Sequence, residues 1–261
     1  MKKNFDFDKS DIINKLKEVS ISKNDNIFIQ SNLGFFGKLK NANDANALCQ
    51  IFKDAIFEVI GPNGTLVVPT FSYSFCNNQV YDKEKTPSTD CGIFSEFIRL
   101  DSKSKRSDDA NFSITAIGKN AKKITSNSPE YSFGKNSFWD RFLSIDGMLC
   151  RFNLHPNYMS IIHYVEKSCS VEYRWDKSFK GKSIINGQEE NKRFFHFVRD
   201  LNIDEHSSEL GKLQDLCIKQ GIMKVSNLGR GKIYGVKVKD YVNLAKQEVE
   251  KDSLFLIQGK K

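Results

Sequence analysis

Apolar residues recur along this chain in two rhythms, one with the 3.6-residue period of helices and one in short continuous runs. Over 10–19, Ile12, Ile13, Leu16 and Val19 share one helical face, and a short apolar strand then runs from Asn26 to Gln30. A second helix is predicted over 44–60, closed by the turn Gly61-Pro62-Asn63-Gly64, and 65–70 reads as a buried strand that Pro69 stops. Residues 71–88 lose periodicity and mix aromatic with polar side chains, which predicts a long functional loop after a strand end. Helices follow over 92–100, 137–143, 158–167, 206–220 and 241–249, with a helical turn at 120–124. Strands are predicted over 112–117 and 148–152, a β-rich run over 193–198, and solvated loop or polar connection over 102–110 and 181–192. The alternation predicts an α/β fold, a mixed sheet flanked by helices on both faces, in a single domain spanning 1–261.

The densest chemistry falls in the helix over 158–167. Tyr158, Ile161, Ile162 and Val165 form its expected buried face, and His163 and Glu166 sit three apart on the neighbouring one. Side chains at that spacing touch, so Glu166 can accept from one ring nitrogen of His163 and leave the other as a general base. On its own H-x-x-E is more often a surface ion pair. A zinc site is not written here, because two histidines on one metal need H-x-x-x-H or H-E-x-x-H, and neither occurs. His155, ahead of the helix beside Pro156, either lines the same cleft or ends the preceding strand.

Composition narrows the classes. The six cysteines are scattered with no C-x-x-C pair, as expected of reduced cytosolic thiols. No stretch has signal-peptide or membrane-spanning character, so a cytoplasmic protein without membrane insertion is expected. The net charge of +8, from 40 basic and 32 acidic residues, favours anionic ligands. Acids interleave with the bases over most of the chain, which argues against nucleic acid. Residues 224–239 hold five basic side chains, no acidic one and three glycines; a phosphate-binding hairpin and a lysine-protected edge strand fit equally well.

Several fragments in one order resemble the aminoglycoside 3-N-acetyltransferase family, whose fold differs from the GNAT acetyltransferases. They are Phe28-Ile-Gln-Ser-Asn-Leu-Gly34, Gly61-Pro-Asn-Gly-Thr-Leu-Val-Val-Pro-Thr-Phe71, Tyr81-Asp82 with Thr86-Pro-Ser88, and Gly92-Ile-Phe-Ser-Glu-Phe-Ile-Arg99. Arg106-Ser107 with Ser113 and Gly118, Ile162-His-Tyr-Val-Glu166 with Tyr173-Arg174, and Gly229-Arg-Gly231 complete the set. The resemblance implies acetyl-CoA as co-substrate, no metal, His163 as base and Glu166 as its orienter. It implies a coenzyme site formed by Ser31, Leu33, Gly34, Arg106, Ser107 and Ser113, with Thr70 and Asp82 near the acceptor. Tyr73 in the aperiodic loop and His155 join the acceptor side.

The chain departs from the family pattern at three places. Gln30-Ser31-Asn32 stands for His-Ser-Ser, Arg106-Ser107-Asp108-Asp109-Ala110 for Arg-Ser-x-His-Pro, and the segment from Asn153 to Tyr158, normally Gly-containing and acidic, holds His155-Pro156, which implies a rebuilt acceptor pocket. With the basic balance this points to a small amino-sugar acceptor bearing a diphosphate, such as a nucleotide-linked amino sugar for surface polysaccharide of the O-antigen type. Acetylation of an aminoglycoside antibiotic is the alternative, and a non-catalytic coenzyme-binding protein is the alternative of another class. A homo-oligomer is compatible with all three.

Overall fold

The protein is described from a computed structural model over residues 5–259. In chain order the elements are α1 (Lys9–Glu18), β1 (Asn26–Ser31), α2 (Ala45–Ile60), β2 (Thr65–Pro69), β3 (Tyr81–Asp82), α3 (Gly92–Arg99), β4 (Lys105–Arg106) and β5 (Ile114–Gly118). There follow α4 (Ala121–Thr125), α5 (Phe138–Ser144), β6 (Met148–Phe152), α6 (Ile162–Ser168), β7 (Trp175–Ile185) and β8 (Gln188–Val198). The chain closes with α7 (Gly211–Lys219), β9 (Met223–Leu228), β10 (Gly231–Lys237) and α8 (Val238–Lys251).

Seven strands form one mixed sheet in the order β4-β5-β2-β1-β6-β10-β9. Its centre is parallel, β1 lying between β2 and β6, and its flanks are antiparallel. Because successive strand side chains point to opposite faces, β1 divides its residues between two cores. Ile27 and Ile29 pack with α1, α2 and α3, whereas Phe28 packs with Trp139 and Phe142 of α5 and the cluster that also holds α4, α6, α7 and α8. The two layers make the mixed α/β fold expected from the sequence. The helix after β1 covers one face and the helix after β6 the other, so a crevice opens at the carboxyl ends of β1 and β6, the switch point where open α/β sheets bind ligands.

A second sheet, β3-β7-β8, corrects the expected polar connection over 181–192. Strands β7 and β8 pair along their whole length around Asn186-Gly187, both with positive φ, the two-residue turn that asparagine and glycine favour. β7 is solvated from Trp175 to Ser178 and β8 from Gln188 to Asn191, so the alternation of buried and exposed residues that marks a strand is weak in both.

Other boundaries shift. The helix carrying His163 begins only at Ile162; Pro156–Tyr158 is a separate 3-10 turn, and Tyr158 is 58% exposed instead of buried. The helix expected over 206–220 starts at Gly211, and 102–110 contains the short strand β4. The basic run over 224–239 is the β9–β10 edge hairpin, where Lys237 meets Asp25 and Asp146 and Arg230 meets Asp6. Among the described residues no helix is long and apolar enough to cross a membrane.

Candidate active site

Two clefts meet at the crevice, and His163 belongs to both. The first, about 930 Å³, is walled by the end of β1 and its turn (Gln30 to Gly34), Pro69, the start of α3 and Ser160. The second, about 790 Å³, lies under the β7–β8 hairpin and is lined by Arg174, Trp175, Lys177, Phe179, Phe197 and Arg199 among others. Tyr73, Phe112, Asn157 and His163 form their shared wall. Tyr73 holds a left-handed φ of 53°, a conformation costly for an aromatic residue and one often kept at functional sites.

The helical spacing does what it predicts. His163 Nδ1 lies 2.9 Å from Glu166 Oε2, and the Glu166 side chain is wholly out of solvent. Three groups share that carboxylate: His163, the Tyr173 hydroxyl donating to Oε1 at 3.2 Å, and Arg174, whose Nε comes within 2.8 Å of Oε2. The Arg174 contact is an ion pair off the hydrogen-bonding direction. Burial alone would raise Glu166, but the His163 hydrogen bond and the nearby positive charges more than offset it and hold its pKa low. An ionised carboxylate only accepts, so the imidazole proton sits on Nδ1 and Nε2 keeps its lone pair. Burial also pushes His163 below the ordinary histidine pKa, against the pull of Glu166, which keeps the ring neutral near pH 7. The unit is a poised base with an oriented ring.

The residues expected at the coenzyme divide. Ser31, Leu33 and Gly34 line the first cleft beside His163, and the buried Ser31 hydroxyl has no hydrogen-bond partner among the described residues. At its floor, Gly92 begins α3 with φ +81°, where a Cβ would stand 2.9 Å from the Ser31 carbonyl oxygen; only glycine lets the helix start so close to β1. Arg106, Ser107 and Ser113 lie behind the wall. Arg106 donates to Ser113 Oγ at 3.1 Å and Thr70 O at 2.8 Å, and it also reaches the Thr86 carbonyl. Ser107 Oγ accepts from the Ile114 amide, and Tyr81 donates to the Ser107 carbonyl. This network pins the segment after β2 to β5 and so fixes Phe71 and Tyr73 in the clefts.

The acceptor-side residues divide in the same way. Tyr73 lines both clefts, whereas Thr70 is buried with its hydroxyl 3.0 Å from that of Thr115. Asp82 caps a turn, accepting from the Glu84 and Lys85 amides, and lines neither cleft. His155 caps the 3-10 turn over 156–158, its Nδ1 accepting from the Asn157 amide, and is exposed.

Sequence reasoning missed a second buried imidazole. His196 sits on β8 with Nδ1 3.9 Å from Cys76 Sγ and Nε2 3.1 Å from Asn111 Nδ2. This has the outline of a Cys–His–Asn nucleophile, but the thiol is not activated. Asn111 Oδ1 accepts from the Cys76 amide and Nδ2 faces Nε2 of the ring, while the buried Asp109 Oδ1 lies 3.8 Å from the same ring nitrogen. Burial pushes the Cys76 thiol up to about 11, with Asp109 adding to the rise. No group of three or more histidine, cysteine or acidic residues among the described residues could hold a metal ion.

A conserved-family model described as aminoglycoside 3-N-acetyltransferase matches residues 29–250. A search of curated protein sequences finds no match. Among solved structures, aminoglycoside acetyltransferase AAC(3)-Xa superposes with a TM-score of 0.81 at 16% identity, over 93% of this chain and 92% of that one. AAC-IIIb in a binary complex with CoASH gives 0.80 at 15% identity, over 94% and 97%. AAC-VIa bound to sisomicin gives 0.80 at 18% identity, over the same shares. At such identities the structures show a common fold. The class is an acyl-CoA-dependent N-acyltransferase. The chain belongs to the aminoglycoside 3-N-acetyltransferase family, as the fragments in its sequence implied.

Proposed function

We propose that the protein transfers the acetyl group of acetyl-CoA to a primary amine of an aminoglycoside-type amino sugar in one direct step. The observation that carries this reading is the His163–Glu166 pair at the meeting point of two clefts, one for each reactant. The coenzyme takes the first cleft, with pantetheine along Ser31 to Gly34, where an unpartnered hydroxyl can bond an amide-bearing ligand. The amine lies in the second. Its nitrogen attacks the thioester carbon as Nε2 of His163 takes its proton; the C–N bond forms, the C–S bond breaks, and the leaving thiolate receives the proton to give free CoA. Holding the two reactants together supplies further rate.

Family membership and the sisomicin-bound relative support the aminoglycoside acceptor over the nucleotide-linked sugar expected from net charge. One observation favours the latter as a second reading. Lys177 and Arg199 line the second cleft, and neither has a carboxylate partner among the described residues; the exposed Trp175 beside them offers a ring surface. Thiol release from acetyl-CoA decides between the two. Sisomicin should support turnover, and His163→Asn should lower kcat by about 10²–10⁴ while coenzyme affinity holds. Turnover with a nucleoside-diphosphate amino sugar and none with sisomicin selects the second reading. Near-normal kcat in His163→Asn overturns the base assignment for both.

A further inference from the structure

A histidine bonded to a carboxylate alone is a strong proton acceptor but a poor resident base, because the carboxylate stabilises the imidazolium and keeps it protonated. Here the carboxylate is not His163's alone. Glu166 is fully buried and shared with Tyr173 and Arg174, both from the segment that leads into β7. We propose that Arg174, assisted by Tyr173, is a positioning residue that holds the Glu166 carboxylate as an orienting acceptor while cancelling enough of its charge for His163 to rest unprotonated.

Burial is the first thing that lowers the basicity of the ring, and on top of it the geometry sets two charge effects of opposite sign. Glu166 fixes Nδ1–H and by its charge makes the ring more basic; Arg174, 2.8 Å from the same oxygen, makes it less basic. The Arg174 side chain is 6% exposed, so solvent screens its charge little. Other charged or titratable groups face His163 from each neighbouring element. Lys177 comes from β7, His196 from β8, and Arg199 and Asp200 from the segment after it. Tyr73 and Cys76 come from the loop after β2, Asp90 and Cys91 from the one after β3, and Tyr158 from the turn ahead of α6. None of these touches the Glu166 carboxylate; among the described residues His163 and Tyr173 hydrogen-bond to it and Arg174 pairs with it.

This inference rests on His163 being the base, and the test keeps the two apart. The readout is the acid limb of kcat/KM against pH, which reports the free enzyme's base, paired with an NMR titration of the His163 ring in the full chain. Arg174→Met should move the limb to higher pH by about one unit, the scale on which a close like charge disfavours an imidazolium. Glu166→Gln leaves Arg174 unopposed and should move it to lower pH by a similar amount. Arg174→Lys should restore most of the wild-type position, and Tyr173→Phe should give a smaller upward shift. A merely structural role would lower kcat in every variant without opposite displacements. Should Arg174→Met fail to fold, the downward displacement in Glu166→Gln carries the test. Limbs that stay together, or move in the same direction, overturn the proposal. A limb insensitive to loss of His163 itself overturns the base assignment instead.

Discussion

The two clefts that meet at His163 are built from different materials. The first is made of chain ends: the carboxyl terminus of β1, the Leu33–Phe36 turn and the glycine that opens α3. It contains no lysine or arginine among its lining residues. The second is made of side chains on a hairpin and the segment beyond it, with Arg174, Lys177 and Arg199 set among aromatic rings and Asp200 as its acid. A wall of main chain at the switch point of a sheet changes little when side chains are substituted. A hairpin carrying exposed side chains can change its charge without touching the core. The difference suits a constant coenzyme on one side and a variable acceptor on the other.

Two substitutions sharpen that contrast. The larger effect falls on the first cleft. Gly92→Ala forces a side chain into a left-handed conformation and against the Ser31 carbonyl, a strain of about 1–2 kcal/mol. It should raise KM for acetyl-CoA about tenfold and leave that for the acceptor within twofold, by steady-state kinetics at saturating co-substrate. An equal rise in both constants would mean that the clefts are not separate. The smaller effect falls on the second. Lys177→Glu reverses one exposed charge, worth up to about 1 kcal/mol before salt screens it. KM should fall about threefold for a polycationic amine and rise about threefold for an anionic one, with KM for acetyl-CoA unmoved. A change confined to acetyl-CoA would hand this cleft to the coenzyme's phosphates.

How much of this was legible depended on how locally each contact is fixed. Helix geometry alone brings His163 to Glu166, so the sequence spacing sufficed. Tyr173 and Arg174 reach the same carboxylate across the turn after α6, where Ser170 has φ 53°, and no periodicity announces such a return. The β7–β8 hairpin left a local mark that went unread: Ile185-Asn186-Gly187-Gln188 holds the asparagine–glycine pair that favours a two-residue turn. With it Trp175, Lys177 and His196 would have been placed together. Arg106, Ser107 and Ser113 belong to the same family pattern as Ser31 and Gly34, but only the latter line the first cleft; the others are taken up in the hydrogen bonds between β4, β5 and the segment after β2, a pairing that no motif announces.

Everything turns on His163 standing where two reactants meet. The most direct measurement is a crystal structure of the full chain with coenzyme A. The account predicts pantetheine along Ser31 to Gly34, with the sulfur at the boundary of the two clefts and His163 Nε2 near enough for an amine nitrogen to lie within about 3.5 Å of both. A coenzyme threaded under the β7–β8 hairpin, or a sulfur more than about 8 Å from Nε2, beyond the reach of a single bridging nitrogen, would contradict it.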